Sequence, residues 1–258
     1  MSSTSITVFR GFEASGYYTW SPFVTKLEAR LRFAKVPYTV DSGSPMKAPR
    51  GKIPYVQLVA PDQPVQLIGD SELIIKQLVD EGVLEDCNAK MSRLDQVHDY
   101  SVRALLEDKL YFYQVYEKWI ENYYAMRPVV LAALPYPVQL VVGLLIYRSN
   151  KQTLQGQGTL RFTSREIADF RQQIWQHIST LLTAARTNAK VSDDAVFWLF
   201  GKQEPSEADA VLYGFIVGAL VCSAAPDSQA IVRSFPMIVE YATRIHEEFF
   251  PDYAIWER

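Results

Sequence analysis

The feature that most constrains this chain is a change of texture near residue 82. From about Lys90 to the C-terminus the apolar residues recur at helical spacing with almost no strand signal, whereas the first eighty residues alternate short extended runs with helical ones. In the first part, Ile6–Phe12 reads as a buried strand. Ser21-Pro22 then opens a helix, Ser as cap and Pro at the first helical position. Phe23, Leu27, Leu31 and Ala34 give that helix an apolar stripe, with Lys26 and Arg30 on another face, and Pro37 ends it. Tyr38–Val40 is extended again. The stretch with Gly43, Pro45, Pro49 and Gly51 holds too many breakers for a long helix. Ile53–Ala60 and Val65–Ile68 form a candidate hairpin, and Asp70-Ser71 caps a further helix through Leu73, Ile74, Leu78 and Val79. The reading is two domains, residues 1–82 and 88–258.

In the second part, Leu105, Phe112, Tyr116, Trp119 and Tyr123 mark a long aromatic helix. Ile167, Phe170, Ile174, Ile178, Leu181 and Ala185 mark another. Asp193 to Pro205 reads as a loop, Ser206–Asp209 as a capping box with Asp in place of the usual Glu or Gln, and Pro236 to about Phe250 as the last helix. Residues 129–147 carry no charge and reach the lower limit of a membrane span. Pro135 and Pro137 interrupt them, which favours one or two core helices around the break over a membrane-touching surface.

Composition narrows function. A net charge of −3 and a pI near 5.7 disfavour nucleic acid as partner. Two distant cysteines, Cys87 and Cys222, and no basic-then-apolar leader point to a reducing, cytoplasmic setting. His98, His177 and His246 stand apart, so no metal is expected, and neither phosphate-loop nor Gly-x-Ser-x-Gly patterns occur.

Three motifs in order then carry a resemblance: Ser21-Pro22-Phe23 after the first strand, Gly51-Lys52-Ile53-Pro54 before the third, and Asp70-Ser71 at a helix start. Together they resemble the cytosolic glutathione transferases, a thioredoxin-like domain (β-α-β-α-β-β-α) followed by an all-helical one. Ser21 through Glu28, Gly156-Gln157-Gly158, and Phe235-Pro236 through Arg244-Ile245 to Phe250-Pro251-Asp252 look like the failed-axon-connections and metaxin-like branch. The resemblance implies glutathione as cosubstrate. A cis Ile53-Pro54 bond would present the Ile53 backbone to its cysteinyl unit, Asp70 and Ser71 would take the γ-glutamyl end, and Lys52 would face the glycyl carboxylate. The same Asp70-Ser71 pair serves equally as a plain cap, and Lys52 as a solvated side chain. Ser21, or Tyr17 or Tyr18 from the preceding loop, would donate a hydroxyl to the thiolate. With no cysteine in this turn, disulfide exchange lacks its nucleophile. Tyr17, Tyr113, Tyr116 and Trp119 (with Tyr111) are candidates for the wall of an acceptor pocket, although aromatics at helical spacing more often form core.

The function implied is conjugation of glutathione to an electrophile, or a glutathione-dependent isomerisation of a small apolar substrate. Two alternatives stand beside it: a non-catalytic, metaxin-like interaction or membrane-associated module, and a tailoring enzyme that no longer uses glutathione. A homodimer is usual for the superfamily.

Overall fold

The computed structural model describes residues 4–12, 15–61, 63–189, 192 and 195–257. Asp193 and Asp194, where the loop before Pro205 was expected to begin, and Asp62 of the expected hairpin turn lie outside them. A four-stranded sheet forms from β1 (Ser5–Phe9), β2 (Thr39–Asp41), β3 (Tyr55–Val59) and β4 (Gln66–Gly69), in the order β2-β1-β3-β4. The β1–β2 pair is parallel, and both pairs made by β3 are antiparallel. Helix α1 (Pro22–Phe33) makes the crossover between β1 and β2, and α2 (Ser71–Asp80) follows β4. The resemblance implies another helix between β2 and β3. That stretch is instead a run of turns, with Ala48 N–H bonded to Ser44 and Gly51 N–H to Ala48. Two prolines and two glycines there deny a helix its donors and its backbone preference.

A small core of Ile6, Val8, Leu27, Leu31, Val56 and Ile74 joins the sheet to α1 and α2. Period-2 alternation in the strands and 3–4 spacing in the helices supply it. After residue 92 the regular elements among the described residues are all helices, chiefly α3 (Arg93–Leu105), α4 (Tyr111–Tyr116), α5 (Tyr123–Val130), α6 (Tyr136–Gln157), α7 (Ser164–Asn188), α8 (Glu207–Val221), α9 (Pro226–Arg233) and α10 (Pro236–Phe249). The expected long aromatic helix is continuous from α3 but carries two π-helical turns, Leu106–Leu110 and Glu117–Glu121, on either side of α4.

Helix α8 is the axis of the molecule. Ala208 through Leu220 are all buried, as a helix apolar on every side must be. Its start is the expected capping box: Ser206 accepts from Asp209 N–H, and the Asp209 carboxylate accepts from Ser206 N–H at 2.7 Å. Asp209 also accepts from Leu199 N–H and the Tyr241 hydroxyl, each at 2.7 Å, so this acid holds the helix start to the core.

Helix α1 lies between the sheet and α8. A Cβ on Gly214 would intrude on the Pro22 carbonyl oxygen and sit 3.0 Å from Lys26 N; on Gly218 it would meet Pro22 N at an ordinary 3.5 Å. The lack of a side chain at Gly214 is therefore what lets the two backbones touch. Lys26 and Arg30, whose spacing suggests a solvated face, are both buried in this layer. Lys26 Nζ pairs with Glu107 at 2.8 Å and Glu72 at 2.9 Å, and Arg30 pairs with Glu207 at 2.6 Å. Buried cations need such partners, and here they lock α1 to α2, α8 and the turn after α3.

The uncharged 129–147 segment spans the end of α5, a turn and the first half of α6, and it is mostly surface where core was expected: Gly143 and Leu154 are the buried residues of α6. No single helix among the described residues is long and apolar enough to cross a membrane.

Candidate functional site

Strand register gathers the candidate residues at one end of the sheet. Phe9 pairs with Tyr55 and Tyr55 with Gly69, so the chain just beyond Phe9, the chain just before Tyr55 and the chain just after Gly69 share an edge. These are Gly11 with the loop leading to Ser21, then Ile53-Pro54, then Asp70-Ser71. The Ile53 side chain packs against Gly11. The Ile53–Pro54 peptide is cis, as expected. Among the described residues neither the N–H nor the C=O of Ile53 has an intramolecular hydrogen bond. An unpaired donor and acceptor next to a strand can take an extended peptide as one more strand.

Asp70 is held at φ 82°, ψ 122°, a left-handed conformation that a non-glycine residue adopts only when its surroundings enforce it. Its carboxylate accepts from Glu72 N–H at 3.0 Å and Leu73 N–H at 3.4 Å. The plain-cap role of Asp70 is thus real. Ser71 is buried at the first helical position, at the positive end of α2, a place where backbone N–H groups can receive an anion. Lys52 is exposed. Beside this edge a cavity of about 820 Å³ opens over β4 and α2, lined by Arg50, Gly69, Leu73 and Lys76 among others.

Ser21 departs from expectation in a useful way. Its backbone is extended, as a cap residue's should be, yet its side chain makes no capping hydrogen bond. The hydroxyl is half-buried and not consumed by the helix. Thr19 Oγ1 accepts from Ser21 N–H at 3.3 Å, and the buried Lys118 ammonium donates to the Trp20 carbonyl at 3.3 Å, which steadies the loop behind it. The Phe23 ring meets Tyr111 edge-on at 5.1 Å, so these two rings wall the mouth of α1.

Other candidates are corrected. The Tyr18 hydroxyl is 2.6 Å from that of Tyr213 and 2.7 Å from His246 Nδ1, beneath Phe250, Tyr253 and Trp256. Burial pushes its phenol well above the ordinary range. Tyr18 is a core residue tied to the C-terminal helix, unsuited to donate to a thiol. Tyr17 is exposed, its carbonyl bound by Arg10. Tyr113, Tyr116 and Trp119 are buried in the helical core, Tyr113 stacked on Phe170 and the Tyr116 hydroxyl 2.8 Å from Ser164 Oγ. Their helical period was a core period, and Tyr111 is the aromatic of this group whose ring meets Phe23. Sequence reasoning missed Lys118, because a lysine in an aromatic helix gives no sign that it faces inward. Among the described residues no group of three or more His, Cys, Asp or Glu could hold a metal.

Residues 22–126 match the family model described as the glutathione S-transferase N-terminal domain. A glutathione transferase family member from Pseudomonas fluorescens pf-5, solved with two glutathione bound, superimposes with a TM-score of 0.58 at 12 % identity, covering 96 % of this chain and 92 % of that one. FzlA from C. crescentus gives 0.58 and 12 %, over 96 % and 91 %. Glutathione transferase GSTFuA3 from Phanerochaete chrysosporium gives 0.57 and 14 %, over 98 % and 99 %. The chain therefore has the glutathione transferase fold, and its residues 22–126 carry that likeness in sequence as well.

Proposed function

We propose that the protein binds glutathione along this sheet edge and is a glutathione transferase-like enzyme. The observation that carries the reading is the unpaired Ile53 backbone, flanked by Ser71 on one side and an uncommitted Ser21 hydroxyl on the other. The bound glutathione in the Pseudomonas fluorescens relative supports it. In this arrangement the cysteinyl unit pairs with Ile53, the γ-glutamyl carboxylate takes the N–H and hydroxyl of Ser71, and the glycyl carboxylate lies toward Lys52. Ser21 donates its hydroxyl to the cosubstrate sulfur, which favours the thiolate. An apolar acceptor rests against Phe23 and Tyr111. The reaction is addition of that sulfur to an electrophile, or isomerisation through a reversible adduct. We place the protein in a reducing, cytoplasmic setting, and in the failed-axon-connections and metaxin-like branch. For the branch, Gly158 supplies the left-handed cap that ends α6, in the Gly-Gln-Gly segment that carries the resemblance.

Calorimetric titration with glutathione tests the site. Ser71→Ala is expected to weaken binding about tenfold, the effect of one hydrogen bond to a charged group. Ser21→Ala is expected to lower turnover with little change in affinity. Absence of glutathione binding at millimolar concentration would overturn the proposal.

A further inference from the structure

Helices α5 and α6 present an apolar surface that nothing in the fold covers. Val141 is 62 % and Leu145 58 % exposed, and Val129, Val138, Leu140 and Leu144 are exposed with them. Pro137, Val141, Leu144 and Leu145 recur at three- and four-residue steps and so share one helix face, and Arg148 and Lys151 continue the same stripe. The charge here is one-sided. From Asn122 to Arg165 there is no Asp or Glu, while the stretch holds Arg127, Arg148, Lys151, Arg161 and Arg165, in a chain whose net charge is −3. Glu121 and Glu166 bound it on either side. Among the described residues none of those five cations has a salt bridge, whereas the buried Lys26, Arg30 and Arg171 are each paired. Arg127 lies within 6.0 Å of three tyrosine rings, those of Tyr123, Tyr124 and Tyr136, and its buried Nε has no hydrogen-bond partner.

We infer that the α5–α6 surface docks on an anionic lipid bilayer, with the Val141–Leu145 face in the acyl boundary and Arg127, Arg148 and Lys151 at the phosphates. The three features belong together physically. An aliphatic helix face lies in the interface plane, tyrosines sit at headgroup level, and cations bind the negative leaflet. A second copy of the chain fits less well, because a twofold contact would bring this all-cation patch against itself. The surface is separate from the glutathione site, so the inference stands or falls independently of that reading.

The test is co-sedimentation of the full chain with phosphatidylcholine vesicles, with and without phosphatidylserine. Retention is expected on the phosphatidylserine vesicles, falling as salt rises. Arg148→Gln with Lys151→Gln is expected to lower partitioning roughly ten- to thirty-fold. Leu144→Glu with Leu145→Glu is expected to abolish it while circular dichroism stays unchanged, since these side chains are exposed. No retention on phosphatidylserine vesicles, equal retention on neutral ones, or retention that both variants keep would overturn the inference. A complex with an acidic protein in place of vesicle binding would overturn it too.

Discussion

Two glycines on one face of α8, four residues apart, are expected to respond in opposite senses to the same substitution. Gly→Ala inside a helix is worth about 1 kcal/mol in helix propensity. At Gly218 the new methyl would meet Pro22 N at 3.5 Å, an ordinary contact, so that gain is kept and Gly218→Ala is expected to be neutral or more stable by up to about 1 kcal/mol. At Gly214 it would collide with the Pro22 carbonyl oxygen and press on Lys26 N at 3.0 Å. Both are backbone atoms of α1, and α1 has little room to retreat. Phe23 is wedged against Tyr111 and Phe215, and Lys26 is held by two carboxylates. Overpacking costs about 1–3 kcal/mol, and so rigid a neighbour argues for the upper end. Setting about 3 kcal/mol against the propensity gain leaves Gly214→Ala less stable by roughly 2 kcal/mol, a fall in Tm of roughly 4–8 °C for a chain of this size. Urea unfolding of both variants, followed by circular dichroism, measures the difference. The displaced first turn also moves Ser21, so turnover is expected to fall in Gly214→Ala and not in Gly218→Ala. Equal stability of the two variants would refute the claim that α1 and α8 are packed backbone to backbone.

Three further outcomes follow from buried groups. Glu117 is fully buried, pairs with Arg171 at 2.6 Å and accepts from the Asp227 and Ser228 N–H groups that begin α9. Glu117→Gln removes the close carboxylate from buried Arg171 and leaves it the exposed Asp227 at 3.7 Å, so a loss of about 3 kcal/mol in denaturant unfolding is expected, and a loss below about 1 kcal/mol would contradict it. Burial holds the His246 imidazole below its ordinary range, against the opposing pull of Glu247 and Asp252. The unfolded chain therefore takes up a proton first. Stability is full above about pH 6.5 and declines as pH falls from there through the lower folded value. The decline should be absent in His246→Gln. Tyr18→Phe removes a hydroxyl shared with Tyr213 and His246, and is expected to cost about 1 kcal/mol in stability while leaving turnover unchanged. A large loss of turnover at unchanged stability would return Tyr18 to the mechanism.

Local chemistry made much of this molecule legible from sequence. Ser21-Pro22, Asp70-Ser71 and Ser206–Asp209 announce helix starts through interactions that span only a few residues. The alternation of the short strands and the periods of α1, α7 and α10 follow from the geometry of single elements. The order of those elements, with Ile53-Pro54 before the third strand, carries the fold as well. Tertiary structure decided which side of each element met what. Lys26 and Arg30 sit on another face than the apolar stripe, where charge usually meets solvent; they are buried since α8 and the carboxylates that pair with them come from distant parts of the chain. The spacing of Tyr113, Tyr116 and Trp119 favoured core without excluding a pocket wall, and the contacts of Tyr113 and Tyr116 with α7 decided for core. The apolar run around Pro135 and Pro137 had to be helical by composition, yet burial is a property of neighbours, and the fold left the face with Val138, Val141, Leu144 and Leu145 exposed. Sequence alone thus determined the elements and their order, through forces that act within a few residues. Contact between distant segments decided exposure and charge pairing, and with them the site.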